Sequence, residues 1–179
     1  MVLGIEELHK LVKEKQLVEG LSQRELENPE GAGFDLRVGE IYEVEGQGFL
    51  GVTERETPSM KLLASFKEGE TQEVLLKSHT YYTVKTVEDV NMPDDILALM
   101  TPRSTLFRSG VYCFGGQVPP GYKGGLTMGM YNFRDTDFRL EMGARIVHIM
   151  FFAVEGKGNM YRGQWQGGRV TTNEKETQV

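Results

Sequence analysis

Residues 34–38 read Phe-Asp-Leu-Arg-Val, and this alternation of apolar and polar side chains predicts a half-buried β-strand. Phe34, Leu36 and Val38 share one face of that strand, and Asp35 lies on the other. The alternation returns at Tyr82 and Val84, at Leu126, Met128 and Met130, and at Ile146, His148, Met150 and Phe152. The 22 glycines of the chain separate these short segments. The pattern favours a mostly β domain, built as a barrel or a double-sheet jelly roll.

A single amphipathic helix precedes the strands. Over residues 5–19, the apolar side chains of Ile5, Leu8, Leu11 and Val12 fall on one helical face, and Gly20 marks the end. The 179 residues suffice for one well-packed domain. The irregular stretch 46–73 reads as a long excursion from the barrel, and the sequence gives it no role.

The composition excludes several functional classes for this chain. The net charge is −6, which disfavours a nucleic-acid-binding protein but permits a small anion held by a few arginines. One cysteine, Cys113, excludes an internal disulfide and fits a reducing compartment. The Cys-rich ligand set of the zinc nucleoside deaminases is absent. The sequence shows neither a secretory signal nor a membrane-spanning run, so we expect a cytoplasmic protein.

Three sequence blocks point to chemistry: Gly31–Leu36, Pro102–Gly110 and Pro120–Gly125. In the second block, the guanidinium of Arg103 suits bidentate binding of phosphate oxygens, and Ser104 adds a neutral donor. In this order, the blocks resemble those of the dUTPase/dCTP deaminase family of nucleotide enzymes. The resemblance implies a dUTPase-like distorted β-barrel with an N-terminal helix.

The resemblance also implies roles for individual residues. Asp35 would support a metal-bound water or act as a base, Gln117 would orient a water, and Arg108 would lie near the nucleobase. The hairpin around residues 115–122 would read a pyrimidine, with the ring of Tyr122 under the deoxyribose. The implied substrate-binding residues are Arg103, Ser104, Thr105, Tyr122, Arg145, Tyr161, Gln164, Gln166 and Arg169.

Each of these positions also has a structural interpretation. Asp35 could be a turn-forming carboxylate, and Arg108 could form an ion pair with a nearby acid. Tyr122 could be a core tyrosine beneath an ordinary hairpin. A histidine in an alternating apolar strand, such as His148, is more often a satisfied core residue than a catalyst. Arg145 is expected at a phosphate or at a contact between subunits.

The segment Tyr161–Arg169 is rich in glycine, amides and aromatic rings. It resembles the tail of the deaminase branch, in which case it would fold over a bound nucleotide. We therefore predict one domain over residues 1–170 with a nucleotide-closing segment at 161–170. A polar, flexible tail is predicted over 171–179.

Two positions depart from the family pattern. The deaminase branch carries a glutamate in the strand after the hairpin, where alignment on Tyr131 and Asn132 places Gly129. The dUTPase branch carries an aspartate ahead of its aromatic residue, where alignment on Tyr122 places Pro119. Neither residue can accept a proton. A diphosphatase retains some rate from electrostatic positioning of phosphates, whereas deamination depends more on a proton shuttle.

Because hydrolysis depends less than deamination on a proton acceptor, the sequence favours a dUTP diphosphatase of deaminase-like architecture. It would hydrolyse dUTP to dUMP and pyrophosphate with Mg²⁺ carried by the substrate phosphates and no direct protein ligand to the metal. The resemblance implies a homotrimer with sites between subunits, and no nucleic-acid or membrane partner. Two alternatives stay open: a dCTP deaminase, alone or bifunctional, and a deoxynucleotide-binding paralogue without turnover.

Overall fold

A computed structural model describes residues 1–156, 158–172 and 174–178. The helices are α1 (Ile5–Lys15), α2 (Gln23–Glu27) and α3 (Ser104–Arg108). The strands are β1 (Val18–Glu19), β2 (Phe34–Glu45), β3 (Phe49–Leu50), β4 (Glu54–Glu56), β5 (Ser59–Ser65), β6 (Glu73–Leu76), β7 (Tyr81–Asn91), β8 (Ile96–Pro102), β9 (Val111–Phe114), β10 (Gln117–Val118), β11 (Lys123–Asn132), β12 (Phe138–Glu141), β13 (Arg145–Ala153) and β14 (Glu176–Thr177). Among the described residues, no helix is long and apolar enough to cross a membrane.

Nine strands form one curled, half-barrel sheet. Its order is β10-β8-β13-β2-β7-β11-β9, and β1 and β5 add to β7 and β2. The neighbouring strands pair antiparallel. Short sheets of β6 with β12 and of β3, β4 and β14 complete the architecture. The prediction of a mostly β fold with an N-terminal helix is confirmed.

The core faces of β2, β7 and β11 follow the predicted alternation. Phe34, Leu36 and Val38 are fully buried, as are the predicted inward residues of β7 and β11. In β13, Ile146 is buried as predicted, but the prediction is wrong from there on, because the next core residues are Val147, Ile149 and Phe151. A register shift between Arg145 and Val147 against β2 explains the change. A bulge of this kind turns the following side chains to the other face.

Helix α1 ends four residues earlier than predicted. It stops at Lys15 because Gln16 adopts a left-handed conformation with φ 54°, and its N–H donates to the carbonyl of Val12 at 3.1 Å. This geometry closes a helix C-terminus. Val18 and Glu19 then leave the helix and pair with β7.

The irregular stretch 46–73 pairs with the C-terminal residues in one small sheet. β3 and β4, from the irregular stretch 46–73, form a small sheet with β14, in which Glu176 pairs with Arg55. The sequence predicts a flexible tail over 171–179, whereas Glu176 and Thr177 lie in a strand. Asn173 and Val179, also in that predicted tail, lie outside the described residues.

Candidate functional site

A cavity of about 520 Å³ opens between β7, β11, the loop 115–119 and the segment 161–170. This volume is typical of small-molecule sites. Its lining includes Tyr81, Gln117, Tyr122, Gly129, Tyr161 and Arg169. Four predicted site residues, Gln117, Tyr122, Tyr161 and Arg169, therefore come together here.

Tyr122 forms a rigid aromatic wall of the cavity. Its side chain is buried, and its hydroxyl donates to the carbonyl of Gly125 at 2.7 Å. The ring of Tyr161 meets it edge-on, with centroids 5.4 Å apart. Burial raises the pKa of Tyr122 to about 12, so the phenol stays protonated and remains a donor. A fixed aromatic face of this kind suits packing against a sugar or a base.

The segment 161–170 is bound to the hairpin through backbone and amide groups. The Gln166 side chain donates to the carbonyl of Gly121 at 3.0 Å and accepts from the N–H of Lys123 at 2.9 Å. Gly124 lies so close to the segment that an added Cβ would stand 2.5 Å from the carbonyl carbon of Gly167. Its φ of +118° also disfavours any side chain. Glycine is required for this close approach of two backbones.

Gln164 and Arg169 both contact the C-terminal strand, and of the two only Arg169 is among the described residues that line the cavity. The Gln164 amide donates to the carbonyl of Thr177. Arg169 donates to the carbonyl of Thr171 at 2.9 Å and forms an ion pair with Glu176. These contacts hold the segment 161–170 against the small sheet, so a phosphate would compete with Glu176 for the Arg169 guanidinium.

A second polar cluster surrounds Asp35, whose carboxylate is 1% exposed. Arg103 and Arg145 donate to Oδ2, the latter at 2.8 Å. His148 Nδ1 donates to Oδ1 at 2.9 Å. The Arg24 guanidinium lies 3.7 Å from Oδ2. The polar face of β2 is therefore buried as well, under cationic side chains.

The charge state of Asp35 follows from these partners. Burial acts to raise its pKa, but the hydrogen bond from His148 and the charge of Arg103 outweigh burial, so the pKa lies below its ordinary value. Asp35 is thus ionised, with both oxygens engaged. In this arrangement it orients Arg103 and Arg145, and it is not among the residues that line the cavity.

The remaining predicted residues lie on α3. Arg103 precedes the helix, and Ser104 and Thr105 form its exposed first turn. Arg108 is exposed at the last helical position, where its guanidinium lies 6.0 Å from the ring centroid of Phe107. It forms no ion pair with any described residue. These residues, with Arg145, do not reach the lining of the cavity in the same chain.

The cavity contains both positions that depart from the family pattern. Pro119 and Gly129 line it, and its described lining has no aspartate, glutamate or histidine. A Cβ added at Gly129 would collide with the phenol of Tyr81, whose Cε2 and Cζ would lie 2.9 Å away. Across the described residues, no group of three His, Cys, Asp or Glu side chains could hold a metal ion.

Sequence reasoning missed several residues of these sites, among them Tyr81 and Arg24. Tyr81 belongs to the cavity, and its signal is the position one residue before the buried Tyr82, which places it on the opposite face of β7. Arg24 belongs to the Asp35 cluster through helix α2, where it also pairs with Glu25. No local pattern marks Arg24, because its partner is distant in the sequence.

Comparison with known proteins places this geometry in a family. The dCTP deaminase-like family model matches residues 2–154. A dCTP deaminase of Pyrococcus furiosus is 34% identical over 157 residues, which cover 87% of this chain and 88% of that protein. A dCTP deaminase of Pyrobaculum neutrophilum is 31% identical over 176 residues, 98% of this chain and 97% of that protein.

A solved structure supports the fold. The 2′-deoxycytidine 5′-triphosphate deaminase of Agrobacterium tumefaciens superposes with a TM-score of 0.64 at 19% identity, over 84% of this chain. The match covers 46% of that chain, so the present chain spans about half of its length. The resemblance found in the sequence blocks is confirmed, and this chain belongs to the dCTP deaminase-like family.

Proposed function

We propose that this chain binds dCTP in the cavity and deaminates it, with a chemical step that is slow because the lining residues that the structure describes include no carboxylate. The observation that carries the proposal is a cavity of which Tyr122 forms one wall. It lies in a chain whose relatives, matched over 87–98% of its length, are named dCTP deaminases. The dUTP diphosphatase activity favoured by the sequence has no such support from the relatives. Its alternative, dCTP deaminase, is the better supported activity.

The binding roles follow from the two clusters. The main-chain groups of residues 115–119 would face the pyrimidine, and Tyr122 would pack against the deoxyribose. Arg103 and Arg145, aligned by Asp35, would hold phosphates together with Ser104. These arginines lie outside the cavity of their own chain, which supports sites shared between copies, as in the expected homotrimer. Mg²⁺ would arrive on the triphosphate as part of the substrate.

Deamination of dCTP with water gives dUTP and ammonia. Water adds to C4, N3 gains a proton, and the amino group leaves after a further protonation. A positioned acid or base commonly contributes about 10²–10⁴-fold to such a step. Around Gly129, the polar side chains of the described lining are Tyr81, Thr83 and Thr127, each of which carries a hydroxyl. We therefore expect turnover lower by about that factor than in an enzyme with a carboxylate at this position.

The test combines binding with product analysis. The protein is titrated calorimetrically with dCTP, CTP and dUTP in Mg²⁺, and long incubations are analysed chromatographically for dUTP, dUMP and pyrophosphate. We expect dCTP to bind, CTP to bind less tightly, and dUTP to accumulate slowly from dCTP. Failure to bind dCTP would overturn the proposal. Rapid release of pyrophosphate from dUTP would restore the diphosphatase.

A matched pair of variants tests the missing carboxylate. Gly129→Glu needs space, so it is combined with Tyr81→Ala, and Gly129→Gln in the same background is the isosteric control. Glutamate supplies a proton acceptor and glutamine does not. We expect dUTP formation to be at least about tenfold faster with glutamate than with glutamine. Equal rates would show that position 129 does not face the reacting atoms.

Binding without turnover is the second candidate. The observation that favours it is the described lining of the cavity, in which hydroxyls are the only proton-exchanging groups near Gly129. Tight dCTP binding with no dUTP formed by the native chain would establish this candidate. The substitution of Pro119 for an aspartate argues equally against hydrolysis at the α-phosphate, so a bifunctional enzyme is disfavoured.

A further inference from the structure

The two ends of the cavity differ in charge. The β11 residues that line it run from Leu126 to Gly129, which faces Tyr81. Gly125 lies just before this stretch and packs against Gly168, and four residues of strand separate it from Gly129 by about 13 Å. Arg169 follows Gly168 and is the one cation among the described lining residues, and the Lys85 side chain also lies beside Gly125 and Gly168. The end at Gly129 is neutral and suits the uncharged part of a nucleotide, its base.

The phenol of Tyr81 lies against Gly129 at this neutral end. The missing side chain at Gly129 leaves the space that the phenol fills, since a Cβ there would collide with the ring. The Tyr81 side chain is 45% exposed, and its hydroxyl forms no hydrogen bond with a described residue. The hydroxyl is therefore free both to donate and to accept toward a ligand.

The polar side chains around Gly129 share one property. Tyr81, Thr83 and Thr127 all carry hydroxyl groups, each of which can donate one hydrogen bond and accept others by rotation. Cytosine presents an amino donor at C4 and an acceptor at N3, whereas uracil presents a carbonyl acceptor and an N3–H donor. An ionised carboxylate could only accept and would select cytosine. A rotating hydroxyl can satisfy either base.

We propose that Tyr81 is the residue that recognises the pyrimidine edge, and that this site accepts 4-amino and 4-oxo pyrimidine deoxynucleotides, dCTP and dUTP, with similar affinity. The inference rests on the proposed function, because it requires that the cavity bind a pyrimidine deoxynucleotide. Strong discrimination arises when the wrong ligand leaves a buried polar group unpaired. At the Tyr81 hydroxyl, neither cytosine nor uracil leaves a polar group without a hydrogen-bond partner.

The test compares Mg²⁺-bound dCTP and dUTP by calorimetry on the native chain, on Tyr81→Phe and on Tyr131→Phe. Tyr131 is the matched control, because it pairs with Tyr81 across β7 and β11 but does not line the cavity. We expect native affinities within about fivefold of each other. Tyr81→Phe should weaken both ligands by about three- to tenfold, the value of one hydrogen bond, and Tyr131→Phe should change neither.

The outcomes separate this inference from the proposed function. A native preference above about fiftyfold for either base, or a Tyr81→Phe variant that binds both ligands like the native chain, would overturn the inference and leave the proposed function standing. A native chain that binds neither nucleotide would overturn the proposed function and this inference with it.

Discussion

Asp35 is expected to be a major source of stability, and Asp35→Ala tests this directly. The carboxylate is 1% exposed, while the side chains of its partners Arg103 and Arg145 are 28% and 35% exposed. Removing one member of a fully buried ion pair costs about 3–5 kcal/mol. The arginines here can regain water, which favours the low end, but they would also repel one another. We therefore expect a loss of about 3 kcal/mol in the free energy of unfolding.

The assay is thermal unfolding followed by circular dichroism. For a chain of this size, about 3 kcal/mol corresponds to a fall in Tm of about 6–12 °C. Glu73→Ala is the control, because it breaks the exposed pair with Arg139 and should leave Tm almost unchanged. A fall in Tm for Asp35→Ala no larger than that of the control would refute the argument that Asp35 organises this cluster.

Two further predictions concern the pH dependence of the Asp35 cluster and the packing of Gly124 against the segment 161–170. Because the pKa of Asp35 is lowered in the folded chain, its contribution to stability is complete above the ordinary carboxyl pKa of about 4 and is lost as the pH falls through the lower folded value. In urea titrations across this range, the stability difference between native and Asp35→Ala chains should shrink toward acid, and a constant difference would contradict the assignment. Gly124→Ala should displace the segment 161–170, because its Cβ would stand 2.5 Å from Gly167. Limited proteolysis should cut that segment faster, and the affinity for dCTP should fall. Gly4→Ala is the control: a Cβ added there has no neighbouring atom within 4 Å, so this variant should behave as the native chain.

The fold could be predicted where local pattern decides it. The alternation around Phe34 and Leu36 requires only that one face be buried, and the structure buries it. In β13 the same method failed, because the bulge after Arg145 depends on how β13 pairs with β2. The end of α1 was misplaced for a similar reason. Gln16 turns the chain so that β1 can pair with β7, a contact that lies far away in the sequence.

In the candidate site, too, some features follow from local sequence and others depend on contacts between distant residues. The glycine- and proline-rich hairpin before Tyr122 is visible in the sequence, and Tyr122 lies in the cavity. The sequence shows Asp35 as a carboxylate on a polar face, but it cannot show that α2, the end of β8 and β13 bring cationic side chains to cover it. The sequence also shows that residue 129, where the family resemblance leads one to expect a glutamate, is a glycine. That Tyr81 fills the space depends on the register of β7 against β11.

That register also shows how the fold accommodates a glycine at position 129. Met128 and Met130 flank Gly129 on β11 and are buried, and Met128 also lines the cavity. Gly129 faces the cavity, where a missing side chain leaves no void, because the phenol of Tyr81 occupies the space. We therefore expect that a glycine at this position, in place of a carboxylate, costs little stability. Under the proposed function, we expect the hydroxyl-lined end of the cavity to decide which base binds and how fast it is converted.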